Sequence, residues 1–151
     1  MMNELKKQLL KEIDEFRKTG DSFLRKEISV AEFKKASGGM GVYAERGGKK
    51  FMIRLRIPSG VTNVEELNTI YKLAKKYNLE KIHLTTRQAI QLHTMDFKDI
   101  CNVMEECLDY DIFTRGAGGD YPRNVAISPL AGVDKGEIFD CTPYALAVGN
   151  H

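Results

Sequence analysis

Residues 81–95 carry polar side chains suited to ligand binding, in the order KIHLTTRQAIQLHTM. The residues alternate with period two, so an extended strand would present one polar face. The side chains on that face would be His83, Thr85, Arg87, Ala89, Gln91 and His93. A guanidinium, a carboxamide and imidazoles suit an anion or a polar ligand, although an ordinary solvated face is the alternative. Arg87 and Gln91 would lie about 13 Å apart in such a strand, a span closer to a macrocycle than to one small anion.

Arginines are the strongest candidates for chemistry. Arg54 and Arg56 alternate on the polar side of a strand predicted over residues 50–57. Arg87 lies in the central stretch, and Arg123 follows a glycine-rich loop. If the strands pair and the loop returns across their polar face, these guanidiniums converge on one surface. Arginine captures carboxylates and oxyanions in bidentate fashion. Separate, solvated arginines are the alternative.

The cysteines and histidines fit less specific roles. Cys101 and Cys107 are six residues apart, which on a helix turns them about 120° from each other, so the two thiols are poorly placed to share one metal cluster. Both are expected to be buried apolar thiols, and Cys141 is expected to be structural. His83 and His93 could act in proton transfer, since histidine titrates near neutral pH, or could simply be hydrogen-bonded.

Two helices are predicted before the first strand. Residues 3–17 carry apolar side chains at helical spacing, and Gly20 is the predicted stop. Ser29 and Glu32 have the spacing of a capping box, which opens a short helix that a Ser-Gly-Gly run ends. This run predicts a boundary after a helical N-terminal arm, residues 1–40.

The next segment, residues 41–112, is predicted to alternate strands and helices. Strands over 41–45 and 50–57 flank a glycine turn typical of a hairpin. The central stretch supplies a third strand, or two strands if it breaks near Thr86. The order strand, helix, strand, helix is typical of a ferredoxin-like α+β half-domain with its helices on one face of the sheet. The arginines would take the other face.

Two helices complete this half-domain. Thr62 and Glu65 have capping-box spacing, and Asp96 is predicted to cap the second helix. The first helix is predicted to bury Val64, Leu67, Ile70, Tyr71, Ala74 and Tyr77. The second is predicted to bury Phe97, Ile100, Cys101, Met104, Cys107 and Leu108. Residues 113–151 add a loop, a short strand at 125–127 and an unfinished helical pattern, which predicts the truncated start of a further domain.

Composition narrows the class of protein. The chain of 151 residues is 42% hydrophobic and 29% charged, which is ordinary for a globular sequence. A formal charge of +2 gives no overall attraction to nucleic acid or to anionic membranes. No apolar run approaches the roughly 20 residues of a membrane-spanning helix, and the charged N-terminus differs from a signal peptide. The cytoplasm is therefore expected, with the odd number of cysteines reduced.

Three blocks of the sequence carry a family resemblance. They are FMIRLRIPSG at 51–60, KIHLTTRQAIQLH at 81–93 and GAGGDYPRNV at 116–125. In this order they resemble the first part of the sirohaem-dependent sulfite and nitrite reductases. Residues 1–40 match no family pattern.

The resemblance implies roles for individual residues. Arg54 and Arg123 would bind the substrate anion beside the sirohaem iron, while Arg87 with Gln91 would hold the macrocycle and its carboxylates. The residues assigned to the cofactor pocket are Arg56, Arg87, Gln91, His93 and Asn124. Fixed positive charge would bind an oxyanion and offset the charge that develops on it during reduction.

The resemblance also implies cofactors and partners. The parent enzyme would use sirohaem and a [4Fe-4S] cluster to reduce sulfite to sulfide or nitrite to ammonia, with an unidentified electron donor. The cluster cysteines would lie in the domain that follows, so no metal site is expected in this chain. Such a fragment is expected to be inactive without the rest of its polypeptide. Its uncovered sheet face is expected to bind anions or to self-associate.

Two other functions remain open. Ferredoxin-like sheets also serve as RNA-binding modules, but those stack bases on strand aromatics, and residues 81–95 contain none. A small regulatory domain of the same topology would bind an anion without catalysing a reaction. The sequence downstream of His151 would separate these functions, because a reductase needs four cluster cysteines there and a regulatory module does not.

Overall fold

Two helices, α1 (Met2–Leu24) and α2 (Val30–Gly39), begin the fold in a computed structural model that describes residues 2–150. The predicted stop at Gly20 is wrong, because α1 continues for another turn. Gly20 lies against the ring of Phe97, and a Cβ built on it would fall 1.8 Å from Phe97 Cε1. The glycine is therefore required by packing and does not end the helix.

Helix α2 begins as predicted but ends later. Ser29 Oγ accepts a hydrogen bond from the Glu32 amide, and the Glu32 carboxylate accepts one from the Ser29 amide, which completes the capping box. The Ser-Gly-Gly run at 37–39 was predicted to end the helix. It forms the last turn of the helix instead. Gly41 ends the turn with φ of +76°, a conformation that favours glycine.

The sheet has four antiparallel strands in the order β1-β2-β4-β3. The strands are β1 (Val42–Ala44), β2 (Phe51–Leu55), β3 (Ile82–Leu84) and β4 (Ile90–Met95). The β1–β2 hairpin forms as predicted, with Gly47 and Gly48 at φ of +93° and +68° in its turn. An α+β fold of the ferredoxin-like half-domain type is confirmed.

The stretch 81–95 breaks into two strands near Thr86, which is one of the two predicted arrangements, and these strands pair as a hairpin. His83 of β3 pairs with Gln91 of β4, so residues predicted to follow one another along a strand lie side by side. The connection is a tight turn in which the Gln88 amide donates to the Thr85 carbonyl at 2.9 Å, with Gln88 at φ of +57°. Arg87 therefore lies in a turn, and the predicted 13 Å strand spacing from Gln91 does not apply.

Helix α3 (Val64–Lys76) starts one residue later than predicted. Asn63, and not Thr62, is the N-cap: its Oδ1 accepts from the Glu66 amide at 2.9 Å. Thr62 instead donates its hydroxyl to the Glu66 carboxylate at 2.7 Å. The buried residues of the helix are Thr69, Ile70, Leu73 and Ala74. The prediction of burial was wrong at three positions of this helix. Val64, Leu67 and Tyr71 are exposed.

Helix α4 (Phe97–Leu108) buries the apolar face that the sequence predicts. Asp96 is the residue before the helix, but its side chain makes no capping hydrogen bond. Its carboxylate pairs instead with Lys50 at 3.0 Å. A cluster of phenylalanines joins α1, α2, β2 and α4, with ring centroids 5.2 to 6.1 Å apart; its members are Phe16, Phe33, Phe51 and Phe97. The N-terminal helices therefore share one core with the sheet.

The chain after α4 crosses the open face of the sheet. The predicted strand at 125–127 does not form, because the partner of Ile127 is a side chain and not another strand. Gln88 Nε2 donates to the Ile127 carbonyl at 2.7 Å, and Gln88 Oε1 accepts from the Ile127 amide at 3.1 Å. Helix α5 (Thr142–Asn150) then packs against a 3₁₀ turn at Pro58–Gly60. Within residues 2–150, the helices are too short or too polar to span a membrane.

Candidate functional site

A cavity of about 760 Å³ lies between the open sheet face and the segment that crosses it. Its wall contains the guanidinium-bearing residues Arg54, Arg56, Arg87 and Arg123. Among the described residues that line it there is no aspartate or glutamate. The chain as a whole has a formal charge of only +2, so the excess of positive over negative side chains at this wall is a local feature.

Arg54 is the most firmly held of these arginines. It projects from β2, where its Nη1 donates to the carbonyl of Ala117 at 3.1 Å. Its guanidinium also lies 5.5 Å from the centre of the Tyr43 ring, within cation–π range. The Tyr43 hydroxyl in turn accepts from the Gly119 amide at 3.0 Å. Arg54 and Tyr43 thus fasten the 116–119 loop to the sheet.

Gln91 fixes the orientation of the Arg54 side chain. The two residues are paired across β2 and β4, and Gln91 is buried. A guanidinium only donates hydrogen bonds, so the amide must turn its oxygen towards Arg54. In that orientation Gln91 Oε1 accepts from Nη2 and Nε of Arg54 at 2.8 and 3.0 Å. Three of the five Arg54 N–H groups are then used, counting the bond to Ala117, and two are left for a ligand.

Arg56, Arg87 and Arg123 are exposed at the cavity wall. Within the described part of the chain, none of their side chains forms an ion pair or a hydrogen bond with another residue. The backbone of Arg56 is fixed, because its amide donates to the Phe113 carbonyl at 2.8 Å. These three side chains can therefore turn towards a bound anion without first breaking an internal ion pair.

Asn124 lines the cavity, and its side-chain amide is bonded to backbone groups. Its Oδ1 accepts from the Ser59 amide, and its Nδ2 donates to the carbonyls of Ile57 and Arg87, each at 3.0 Å. The side chain joins three backbone segments at the cavity rim. It thereby connects the backbone of Arg87 to the segment that carries its own neighbour Arg123.

His93 lies behind the cavity wall and not on it. Its Nδ1 is 2.8 Å from the Glu45 carboxylate, and its Nε2 is 3.3 Å from the side-chain amide of Gln91. His83 does line the cavity, with its Nδ1 3.3 Å from the same end of that amide. The sequence placed both imidazoles on one face, but it could not show that Gln91 lies between them and Arg54.

Tyr43, Glu45 and Arg115 lie outside the cavity lining and contact the residues around it, and they were not identified from the sequence. Arg115 stacks on Tyr121, at 4.8 Å from the ring centre, and donates to the Glu12 carboxylate at 2.7 Å. It therefore ties the crossing segment to helix α1. The alternation of the first strand contained a signal for Tyr43 and Glu45, since it turns both away from the buried Val42. The pairing of Arg115 with Glu12 had no signal in the sequence.

The cysteines lie away from this cavity. Cys101 and Cys107 are buried in α4, as predicted. Burial raises the pKa of the Cys101 thiol to about 11 and that of the Cys107 thiol to about 12. Across the described residues, histidines, cysteines and acidic residues do not gather in groups of three or more that could hold a metal ion.

A comparison with protein-family models decides the family of the main segment. Residues 43–110 match the nitrite/sulfite reductase ferredoxin-like half domain. The chain carries a nitrite/sulfite reductase half domain. The family resemblance is thereby confirmed, and the blocks at 51–60 and 81–93 lie within the matched residues. These residues contain β2 to β4, α3, α4 and all of β1 except Val42.

Relatives of this half domain include reductases of both substrates. The chain is 35% identical over 115 residues to the assimilatory ferredoxin-dependent nitrite reductase of Haloferax mediterranei, covering 68% of this chain and 20% of the relative. It is 36% identical over 92 residues to the ferredoxin–nitrite reductase of Synechococcus elongatus, covering 60% and 18%. It is 30% identical over 94 residues to a ferredoxin sulfite reductase of Mycobacterium tuberculosis, covering 62% and 17%.

The chain spans about a fifth of the length of these curated relatives. A solved structure, that of the Mycobacterium tuberculosis NirA protein, superposes on 93% of this chain and 31% of its own with a TM-score of 0.70. At 22% identity this match supports the fold alone. The half domain and the segments that flank it therefore have a known arrangement.

Proposed function

We propose that this chain supplies the arginine-lined wall of the substrate and sirohaem pocket of a nitrite or sulfite reductase. The observation that carries the proposal is a single cavity lined by four arginines and, among its described residues, no carboxylate. Unpaired guanidiniums at one wall of a cavity favour a ligand with several negative charges. An oxyanion beside a macrocycle that carries carboxylates has this charge pattern.

The donor set fits sirohaem. A cavity of about 760 Å³ is large enough for much of a macrocycle. Arg56 and Arg87 lie at its wall, and among residues 2–150 their side chains have no ion-pair partner, so their guanidiniums would each pair with a carboxylate. Gln91 and Asn124 would serve this site by fixing Arg54 and Arg87, and His93 would act through Gln91.

Arg54 and Arg123 are the residues proposed to hold the substrate anion. Sirohaem, when bound, would supply the iron through which electrons from the donor reach the anion. Arg54 would offer its two remaining N–H groups to the substrate oxygens from a fixed orientation, and Arg123 would approach from the crossing segment. Positive charge fixed in advance stabilises negative charge on the oxygens without later rearrangement.

The residues of this chain do not fit a [4Fe-4S] cluster. A cluster of that type takes four thiolates, whereas the chain has three cysteines, of which Cys101 and Cys107 face the core. Cluster ligands would come from elsewhere in the enzyme. By analogy with the ferredoxin-dependent relatives, the proposed electron donor is a ferredoxin, and the reductase activity belongs to an assembly larger than this chain.

Titration of the chain with sirohaem, sulfite and nitrite tests the proposal. We expect sirohaem to shift its absorption bands on binding, and each anion to bind in calorimetry with an affinity that falls as salt is added. Arg87→Ala should weaken sirohaem binding, and Arg123→Ala should weaken anion binding. Arg46→Ala is the matched control, because Arg46 is an exposed arginine in the β1–β2 turn and lies outside the cavity lining.

The controls also separate this proposal from its alternatives. If the chain bound the anions but did not bind sirohaem, the result would favour a regulatory anion-binding module. If the chain bound single-stranded RNA, and Arg87→Ala and Arg123→Ala weakened that binding, the result would favour a nucleic-acid module. No binding of any of these ligands, or equal loss in Arg46→Ala, would overturn the assignment of the cavity.

A further inference from the structure

A continuous chain of hydrogen-bonding groups leads from the β1–β2 hairpin to Arg54. The Glu45 carboxylate is 2.8 Å from His93 Nδ1, and His93 Nε2 is 3.3 Å from the Gln91 amide. The other end of that amide is 2.8 and 3.0 Å from Nη2 and Nε of Arg54. Gln91 is buried, and the His93 and Glu45 side chains are 19% and 26% exposed, so water competes little for these contacts.

The chemistry of each group fixes the direction of every bond. Glu45 is an acceptor, so His93 must carry a proton on Nδ1. Neutral His93 then has a bare Nε2, which accepts from the Gln91 NH₂ group. That leaves the Gln91 oxygen facing Arg54, the orientation that a donor-only guanidinium requires. The acceptor Glu45 at one end and the donor Arg54 at the other therefore both require the same orientation of the Gln91 amide.

We propose that Glu45 and His93 are positioning residues for Arg54 and act on it through the Gln91 amide. This inference rests on the proposed function, in which Arg54 holds the substrate anion, and names residues that never touch that anion. If His93 instead carried its proton on Nε2, the Gln91 amide could satisfy only one of its two neighbours, His93 or Arg54. An amide turned to accept from His93 would present its NH₂ group to Arg54, and Arg54 would lose two hydrogen bonds.

The Glu45 carboxylate also accepts from the backbone amide of Thr94 at 3.2 Å, at an irregular point of β4 where Thr94 has φ of +62°. Removing Glu45 could therefore weaken the strand without any effect through Gln91. A test of positioning must use a signal that a loosened strand would not change in the same way. The protonation site of His93 and the coupling of Gln91 to Arg54 are two such signals.

Nitrogen NMR of the ¹⁵N-labelled chain at pH 8, where histidine is ordinarily neutral, reads the protonation site directly. We expect His93 to be protonated on Nδ1 in the unaltered chain. Glu45→Ala should produce a mixture of both tautomers and should shift the Arg54 Nε–H resonance. Glu27→Ala, which removes an exposed carboxylate paired with Arg25, should change neither signal. A His93 proton on Nε2 in the unaltered chain would overturn the proposal.

A double-mutant cycle measures the coupling. Gln91→Met should weaken sulfite binding by about five- to tenfold when Arg54 is present, because the guanidinium loses its fixed orientation. In the Arg54→Lys background, Gln91→Met should have little further effect. Equal weakening in both backgrounds would mean that Gln91 acts on the fold and not on Arg54. If the unaltered chain bound no sulfite, the proposed function would fail, while the NMR experiment would still decide the positioning role.

Discussion

Gly20 and Phe97 occupy one contact in the core: a methyl group on Gly20 would fall 1.8 Å from Phe97 Cε1. Phe97 cannot move aside easily, because its ring packs against Phe16, Phe33 and Phe51. Gly20→Ala would gain about 1 kcal/mol of helix propensity. Overpacking a filled core costs about 1–3 kcal/mol or more, so we expect a net loss of stability in urea unfolding.

The partner residue provides the control for this prediction. Phe97→Leu removes ring atoms at the contact and should lower stability by itself, since it leaves a cavity. In the Phe97→Leu background, however, Gly20→Ala should be neutral or stabilising. Lys18→Ala, at an exposed position of the same helix, should change stability by less than about 0.5 kcal/mol. Equal effects of Gly20→Ala in both backgrounds would contradict the contact.

Asn124 is predicted to stabilise the cavity rim more than a surface asparagine could. Asn124→Ala leaves the Ser59 amide and the carbonyls of Ile57 and Arg87 without their partner. Unpaired, part-buried groups of this kind cost about 1–3 kcal/mol in total stability. Hydrogen exchange at Ser59 should also become faster. Asn68→Ala, on the exposed side of α3, is the matched control, and a similar small effect of both would contradict the role of Asn124.

The sequence predicted the fold class well because periodicity dictates which face is buried. The alternation of β2 and the helical spacing of α4 each left one apolar face, and both faces form the core. At 81–95 the same alternation left open whether one strand or two would form, and the structure has two, with the break at the predicted place near Thr86. The turn at 85–88 contains no glycine, proline or asparagine, so nothing in its composition interrupts the period of two.

The site was predictable in part, for a related reason. Arg54 and Arg56 alternate with core residues, so their common face followed from local pattern. The roles of Asn124 and Glu45 depend on which residues lie opposite them after folding. Asn124 meets a turn 37 residues earlier in the chain, and Glu45 meets His93, 48 residues later. Local pattern carries no information about partners at such distances.

The buried thiols predict a loss of stability at high pH. The pKa values of Cys101 and Cys107 are raised by burial from 9.0 to about 11 and about 12, so the folded chain keeps protons that the unfolded chain releases. The two thiols therefore leave stability unchanged below pH 9 and lower it as pH rises above 9. Each thiol contributes a loss of about 1.4 kcal/mol per pH unit until its folded pKa is reached.

Urea unfolding at pH 8 and pH 10 measures this loss. The doubly substituted chain, Cys101→Ala with Cys107→Ala, should be less stable at pH 8 but should lose less stability between the two pH values. Tyr77 adds to the loss in both chains, since burial and the Glu106 carboxylate raise its pKa as well. The difference between the chains isolates the thiols, and identical slopes would show that they do not titrate on unfolding.

Arg54 and Arg123 should differ in what their removal does to the isolated chain. Arg54 is bonded to Ala117 and Gln91, so Arg54→Ala leaves a carbonyl and a buried amide without partners and should cost about 1–3 kcal/mol of stability. Arg123 is exposed, and Arg123→Ala should change stability by less than about 0.5 kcal/mol.

Both substitutions should nevertheless weaken binding of sulfite and nitrite by about tenfold or more, because each removes a charge-assisted contact with the anion. Urea unfolding and calorimetric titration of the same preparations separate the two effects. Arg46→Ala, outside the cavity, should change neither quantity. If Arg123→Ala left anion affinity unchanged while Arg54→Ala reduced both affinity and stability, Arg54 alone would hold the anion. The crossing segment would then serve to fix Arg54 through Ala117, and Arg123 would be a solvated residue at the rim.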